Sequence, residues 1–230
     1  MKRIRIALVG DFDEKMHTHL SLNESIRHCK PYLSFDLEAK WVSTLHCNEI
    51  MSTSNLYDGI WIAPGSPYKN ESNVLELIRW ARENNIPVLG SCGGFQFMVL
   101  EYAKNRLGII DAGHAESDHS LNPVISKLSC SLKGQEEQIS IPDKESWFFD
   151  VFQSHTISAR YYCSYGVNPT YYEILNKHPF VFSAFSSTDE VRAFELRGHR
   201  FFIGTLFQPS LDSTEEKPNP VVLRFFNSCV

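Results

Sequence analysis

One turn constrains the fold of this chain more than any other feature: an apolar segment runs straight into a glycine-rich sequence around a cysteine, Gly90-Ser91-Cys92-Gly93-Gly94. Residues Ile86 to Gly90 predict a buried strand, and residues Phe95 to Asn105 predict a helix. So sharp a reversal leaves no space for Cβ atoms beside the cysteine, and the N-terminus of the helix then points at the sulfur. These features favour a reactive thiol beside an oxyanion site. The alternative is that the glycines only permit close packing around an inert cysteine.

The first half of the chain alternates predicted strands with predicted helices. The strands are Ile4 to Val9, Phe35 to Val42, Asp58 to Gly65 and Ile86 to Gly90, and the helices cover His17 to Cys29, Val74 to Asn84 and Phe95 to Asn105. This alternation predicts an α/β fold with a central, mostly parallel sheet and helices on both faces. Ligands of such sheets bind at the carboxyl ends of the strands, where Gly65 and Cys92 both fall.

The second half has short apolar segments with few helices between them. These segments are Val124 to Leu132, Gln138 to Ile141, Phe180 to Phe185, Val191 to Leu196 and Phe201 to Leu206, followed by a helical pattern over Pro218 to Asn227. We interpret them as antiparallel additions to the sheet and a closing helix, with residues 133–137 and 212–219 as surface connections. Because no linker or repeat divides the chain, we expect one domain over residues 1–230.

The composition argues against several kinds of partner. The net charge is −5, and the lysines and arginines are scattered rather than clustered, so nucleic acid is not an expected partner. No apolar run approaches the roughly 20 residues that span a bilayer, so no membrane segment is expected. The start of the chain, Met1 to Gly10, is typical of an opening strand rather than of a secretion signal, which predicts a cytoplasmic protein.

The cysteines do not predict a disulfide framework, because they are widely spread in a chain large enough to form a core without cross-links. They are Cys29, Cys47, Cys92, Cys130, Cys163 and Cys229. The dipeptides His28-Cys29 and His46-Cys47 lack the paired spacing of a metal site. We therefore expect no metal and no cofactor.

Beyond the turn at Cys92, several ordered segments resemble the class I glutamine amidotransferases, and most closely the C-terminal amidotransferase region of CTP synthase. They are Ile6 to Gly10, Asp58 to Ile60 with the Pro64-Gly65 turn, Ala81 to Gly90, the elbow through Gln96, Glu101 to Lys104, His114 to Asp118, Tyr165 to Asn168 and Phe207-Gln208-Pro209. The resemblance covers nearly the whole chain and implies a three-layer, flavodoxin-like amidotransferase fold. The chain also resembles the group described as CTP synthase C-terminal region-related (seleno)proteins, which implies a stand-alone domain and, as a partner, a separate synthetase subunit.

The resemblance assigns roles residue by residue. Cys92 matches the nucleophile that attacks the glutamine amide, and Gly65 and Gly93 match the oxyanion hole. Gln96 and Glu116 match side chains that hold the amino-acid end of glutamine, with Glu116 facing its ammonium group. The implied ligand is a small molecule resembling glutamine.

The chain departs from the family where the thiol would be assisted. The family's His-Pro-Glu segment is Gln208-Pro209-Ser210 here, and an amide cannot act as a general base near neutral pH. An arginine with which the synthases bind the carboxylate of glutamine is replaced by Ser164, which removes a bidentate partner. Gln208 and Ser210 therefore predict a degenerate triad and inefficient glutamine hydrolysis.

Other residues are candidate assistants of Cys92. His114, in an extended segment, is the first candidate for a general base and His155 the second; a hydrogen-bonded structural role is the alternative for either histidine. Cys163 and Cys130 would serve to resolve an oxidised Cys92, although buried apolar roles are the simpler interpretation.

Three functions are compatible with these patterns. The first is an enzyme in which Cys92 forms a covalent adduct with a small carbonyl substrate, using a base foreign to the family. The second is a binding or regulatory protein for a glutamine-like or nucleotide-related ligand. The third is an amidotransferase subunit whose site is completed by a separate synthetase.

Overall fold

A computed structural model describes residues 2–53, 56–117 and 120–230. Met1 and Asp118, which belong to segments interpreted above, lie outside these described residues. The strands are β1 (Arg3–Val9), β2 (Asp36–Val42), β3 (Gly59–Ile62), β4 (Val88–Ser91), β5 (Ile125–Lys127), β6 (Glu136–Ser140), β7 (Thr156–Arg160), β8 (Tyr165–Val167), β9 (Phe180–Phe185), β10 (Val191–Leu196) and β11 (Phe202–Thr205). The α-helices are α1 (His17–Cys29), α2 (Cys47–Ser52), α3 (Glu71–Glu83), α4 (Gly93–Asn105), α5 (Trp147–Phe152), α6 (Tyr172–Leu175) and α7 (Pro220–Ser228).

A nine-stranded sheet runs through the molecule in the order β2-β1-β3-β4-β11-β10-β9-β6-β7, while β5 and β8 form a separate antiparallel pair. The first five of the nine strands are parallel, and the pairs from β11 to β7 are antiparallel. Every residue of β3, β4 and β11 is buried. This burial is typical of central parallel strands, which helices cover on both faces.

The helices fall into two packed groups. Helix α3 contacts both α2 and α4, and α7 contacts both α1 and α5. Helix α1 has a polar face and a buried face that includes Leu22 and Ile26, whereas α4 is buried over nearly its whole length. The predicted α/β fold is confirmed, and α4 is the helix that connects the most buried strands to the site described below.

The position of β11 corrects one prediction. The segment Phe201 to Leu206 was expected among the antiparallel additions, yet β11 pairs in parallel with β4, with Gly204 opposite Gly90, at the centre of the sheet. Its place follows from burial, because a strand with no exposed residue is stabilised most where both faces are covered. The elements α2, α5, β7 and β8 were not predicted, and the expected strand from Val124 to Leu132 shortens to β5.

The structure also describes the state of the cysteines, the grouping of possible metal ligands and the length of the apolar helices. All six cysteines are free thiols. Across residues 2–53, 56–117 and 120–230, no group of three or more histidine, cysteine, aspartate or glutamate side chains is arranged to hold a metal ion. Nor does the described part of the chain contain a helix of the length and apolarity that a membrane span requires.

Candidate active site

Cys92 lies at the junction of β4 and α4 with an uncommon backbone conformation. Its φ is 53° and its ψ is −107°, a region that residues other than glycine rarely occupy. The Cys92 N–H donates to the Thr205 carbonyl oxygen at 2.9 Å, and the Gln96 N–H donates to the Cys92 carbonyl oxygen at 3.2 Å. The conformation is thus fixed on one side by β11 and on the other by the first turn of α4.

The glycines of this turn allow close packing. A Cβ atom at Gly94 would lie 2.2 Å from the Ile62 carbonyl oxygen, and one at Gly93 would lie 3.0 Å from the Ser66 backbone nitrogen. Helix α4 therefore approaches β3 and the turn after it more closely than any side chain would permit. The same closeness brings the turn at Gly65, whose φ is 111°, to the side of Cys92.

A cavity of about 160 Å³ opens beside Cys92, whose side chain is 6% exposed. The structure brings most of the predicted site residues to this cavity. They are Gly65, Cys92, Gln96, Glu116, Ser164 and Gln208. Since pockets for drug-sized ligands measure roughly 300–1,000 Å³, the cavity suits a smaller molecule.

One side of the cavity consists of side chains that are hydrogen-bonded to one another. The Gln96 amide nitrogen donates to the Tyr165 carbonyl oxygen at 2.8 Å, and its Oε1 accepts from His114 Nε2 at 3.0 Å. The Ser66 hydroxyl lies 3.0 Å from Glu116 Oε2 and 3.4 Å from Gln96 Oε1. We call Ser66, Gln96, His114 and Glu116 the bonded wall.

His114 supports this wall but does not line the cavity. Its Nδ1 accepts the Glu116 N–H at 3.1 Å, so the proton resides on Nε2, which donates to Gln96. The ring stacks on Phe97 at 5.6 Å, and burial lowers the pKa of His114 to about 4. With both ring nitrogens engaged away from Cys92, this geometry favours a role in positioning Gln96 over the predicted role as a base. His155 is similarly engaged, with Nδ1 2.9 Å from the Ile141 carbonyl oxygen.

Other residues that line the cavity carry polar groups with no hydrogen-bond or ion-pair partner among the described residues. Gln208 is 1% exposed, and within the described residues neither its Oε1 nor its Nε2 has a hydrogen-bond partner; the same holds for Oγ1 of Thr18, which is also 1% exposed. Lys133 lines the cavity too, and its ammonium forms no ion pair with any described carboxylate. We call Thr18, Lys133 and Gln208 the open wall. Burying a polar group without a partner costs about 1–3 kcal/mol, so the Gln208 amide and the Thr18 hydroxyl are available to a molecule in the cavity.

The two remaining departures from the family pattern have local partners. Ser210 is 6% exposed, and its hydroxyl lies 3.1 Å from the Ser21 hydroxyl of α1 rather than at the cavity. Ser164 lines the cavity, with its hydroxyl 2.9 Å from that of Ser131. Neither position supplies the charge that a carboxylate or a guanidinium would bring.

Several lining residues were not predicted from the sequence. Ser66 follows Gly65 directly, so its place in the turn was a usable signal. Thr18 and Lys133 belong to a helix and to a loop without any motif, and only the fold brings them to Cys92. The Cys92 thiol contacts the Tyr162 carbonyl oxygen at 3.7 Å. No sequence pattern predicts this contact, because a backbone carbonyl is present in every residue.

The fold and the cavity together define a class of protein. Residues 16–228 match the family model described as glutamine amidotransferase class-I, and the chain belongs to this family. Within the family, it is related to the glutaminase domain of CTP synthase.

Two curated relatives and one solved structure illustrate this relationship. The CTP synthase of Sulfolobus acidocaldarius is 31% identical over 238 residues, covering 98% of this chain and 45% of the relative. The CTP synthase of Caldivirga maquilingensis is 32% identical over 232 residues, covering 95% and 42%. The glutaminase domain of the Trypanosoma brucei enzyme, with bound acivicin, superposes with a TM-score of 0.88 at 27% identity, covering 98% of this chain and 93% of that one. The chain thus spans somewhat less than half the length of the curated relatives.

Proposed function

We propose that this chain binds glutamine, or an amino acid closely resembling it, beside Cys92 and hydrolyses it inefficiently. The observation that carries the proposal is Gln208. It occupies the position of the family's general base and lines the cavity with an amide that has no partner among the described residues. An amide has no nitrogen that titrates near neutral pH, so it offers hydrogen bonds to a ligand but cannot take the proton of Cys92.

The charges around the cavity suit a zwitterionic amino acid. The Glu116 carboxylate is exposed at the cavity and offers a partner for an ammonium group, as the family resemblance implies. The Lys133 ammonium offers a partner for a carboxylate, in place of the arginine that Ser164 replaces. Charge-assisted hydrogen bonds of this kind are about twice as strong as neutral ones.

The uncharged part of the ligand would meet the buried polar groups. Gln208 has both a donor and an acceptor to offer, and Thr18 adds a hydroxyl. The carboxamide of a glutamine ligand could pair with both the oxygen and the nitrogen of the Gln208 amide, since each amide has one acceptor and one donor group. A glutamine-like ligand therefore removes the cost of leaving these groups unpaired.

We also propose that Cys92 occupies a nucleophile elbow whose triad is degenerate. The positive φ of Cys92, its place before α4 and its exposure to the cavity support the elbow. The absence of a base at Gln208 and of a carboxylate at Ser210 supports the degenerate triad. Residues 1–230 would form a single domain, because β11, from the end of the chain, lies beside β4 in one continuous sheet.

Restoring the family residues tests the catalytic part. We expect little ammonia release from glutamine by the natural chain, and a rate about 10²–10⁴-fold higher in the variant Gln208→His/Ser210→Glu/Ser164→Arg, since general-base catalysis contributes about that much. Adding Cys92→Ala to the triple variant is the control and should remove the gain. A natural chain that already hydrolyses glutamine rapidly, and that the triple substitution slows, would overturn the proposal.

Binding is tested separately from catalysis. L-Glutamine and acivicin should each raise the melting temperature of the natural chain and of Cys92→Ser, whereas D-glutamine should not, because its ammonium and carboxylate groups are interchanged in space. If none of these compounds stabilises the protein, the ligand class is wrong, whatever the hydrolysis assay gives.

A further inference from the structure

Two thiols, those of Cys92 and Cys163, meet at the cavity. The Cys92 thiol contacts the carbonyl oxygen of Tyr162 at 3.7 Å, and Tyr162 directly precedes Cys163. The Cys163 thiol contacts the carbonyl oxygen of Leu206 at 3.9 Å, and the preceding residue, Thr205, accepts the N–H of Cys92. The two thiols are thereby fixed on neighbouring backbone segments, and both line the same cavity.

The two thiols are not equivalent. The neighbouring Cys92 thiol and burial together raise the pKa of Cys163 well above its ordinary range. Cys163 therefore keeps its proton, whereas Cys92 is the member of the pair at the N-terminus of a long helix. An oxidant entering the cavity would accordingly meet Cys92 as the nucleophile, with a protonated thiol beside it.

The remaining cysteines lie elsewhere. Cys29, Cys47 and Cys229 are buried and do not line the cavity that Cys92 and Cys163 share. Cys130 is exposed and does not line the cavity. It is therefore a matched control for a thiol that solvent reaches but that has no place beside Cys92.

We propose that Cys92 and Cys163 form a peroxide-reactive dithiol, in which Cys92 is oxidised by a hydroperoxide and Cys163 closes a disulfide bond with it. The two thiols line the cavity in which we propose that glutamine binds, but their oxidation depends neither on glutamine nor on a base at Gln208.

The chemistry balances in two steps. The Cys92 thiolate attacks one oxygen of the hydroperoxide, the O–O bond breaks, and the other oxygen leaves as an alcohol or as water after taking up a proton. Cys92 is now a sulfenic acid, and the electron pair that it lost has reduced the peroxide. The Cys163 sulfur then attacks the Cys92 sulfur, the S–O bond breaks, and the hydroxyl leaves as water with the proton of Cys163.

A disulfide bond between Cys92 and Cys163 should also affect the binding of glutamine in the cavity. A bond between the two sulfurs, which both line the cavity, would change the shape of the space in which glutamine is proposed to bind, an expectation that rests on the proposed function. The oxidised chain should therefore lose the stabilisation that glutamine gives to the reduced chain, and dithiothreitol should restore it.

Peptide mapping tests the proposal directly. The reduced full-length chain is treated with hydrogen peroxide, its remaining thiols are blocked with N-ethylmaleimide, and it is digested without reduction. We expect one cross-linked peptide pair that contains Cys92 and Cys163, which disappears after dithiothreitol. Under the same conditions, Cys163→Ser should lose the cross-link and accumulate a sulfenic acid at Cys92, trapped by dimedone.

Two further variants keep the test decisive. Cys130→Ser should form the same cross-link as the natural chain, and Cys163→Ala replaces Cys163→Ser if a buried hydroxyl impairs folding. The proposal is overturned if peroxide carries Cys92 to the sulfinic acid equally fast with and without Cys163. It is also overturned if Cys130 is the partner found in the cross-link.

Discussion

The bonded wall and the open wall each contain a glutamine that is 1% exposed and lines the cavity, and the two glutamines differ in their hydrogen bonds. The Gln96 amide is bonded to Tyr165, His114 and Ser66, whereas the Gln208 amide has no partner within the described residues. The comparison teaches that burial alone does not distinguish a structural amide from one that is available to a ligand. The number of hydrogen bonds does.

The difference arises from how each side chain is held. Gln96 projects from the first turn of α4 towards β8 and the loop that contains His114, and these neighbours satisfy its amide. Gln208 follows β11, and only its backbone is fixed, by a 2.9 Å hydrogen bond from its N–H to the Arg160 carbonyl oxygen. The bonded wall is thus part of the fold, and the open wall is the part that a ligand would complete.

The largest expected effect is a loss of folding stability at low pH, which tests the bonded wall through the protonation of His114. Folded His114 takes up a proton only near its lowered pKa of about 4, whereas in the unfolded chain it does so near 6.5. Between these values the unfolded chain binds more protons, so the stability that His114 contributes is complete above pH 6.5 and is lost as the pH falls to about 4. The loss should approach about 3 kcal/mol.

Urea unfolding between pH 7 and pH 4 measures this loss, with His114→Gln as the comparison. That variant cannot titrate, so its stability should depend less steeply on pH than that of the natural chain. Parallel curves for the two proteins would mean that the imidazole protonates freely in the folded state and that the bonded wall is looser than described.

A smaller effect contrasts the two glutamines directly. Gln96→Leu should lower the free energy of unfolding by about 1–3 kcal/mol, because it leaves the Tyr165 carbonyl and the His114 N–H buried without partners. Gln208→Leu removes an unpaired amide and should leave the stability unchanged or raise it slightly, while it weakens glutamine binding. Equal losses in both variants would show that the two walls do not differ in the way proposed.

The smallest expected effect concerns the charge of the open wall. Lys133→Ala should weaken L-glutamine binding about tenfold, or about 1.4 kcal/mol, because an exposed lysine contributes at the lower end of what a hydrogen bond to a charged group provides. Lys133→Arg should bind nearly as the natural chain does, and Lys127→Ala, which changes an exposed lysine of β5, is the control. Calorimetric titration at two salt concentrations measures the affinity. An equal loss in the Lys127 variant would assign the effect to net charge rather than to contact with the ligand.

The fold was largely accessible from the sequence. Strands such as β1 and helices such as α1 follow from apolar spacing that local packing preserves. The error at β11 has a physical cause: its Gly204 pairs with Gly90 of β4, more than a hundred residues away along the chain, and no local pattern encodes a pairing at that distance. Most of the site was accessible too, since Gly65, Cys92 and Gln96 lie in or beside turns with recognisable chemistry.

What the sequence determined by itself is the glycine-rich turn around Cys92, the amide side chain at position 208 and the family to which the chain belongs, because each is a matter of which residues stand at which positions. Only the tertiary structure decided that His114 faces Gln96, that Lys133 and Thr18 reach the cavity and that Cys163 lines the same cavity as Cys92. The reason is that these contacts join segments far apart in the chain. The free energy of each contact depends on whether the packed sheet pairs the polar group with a neighbour or leaves it facing the cavity.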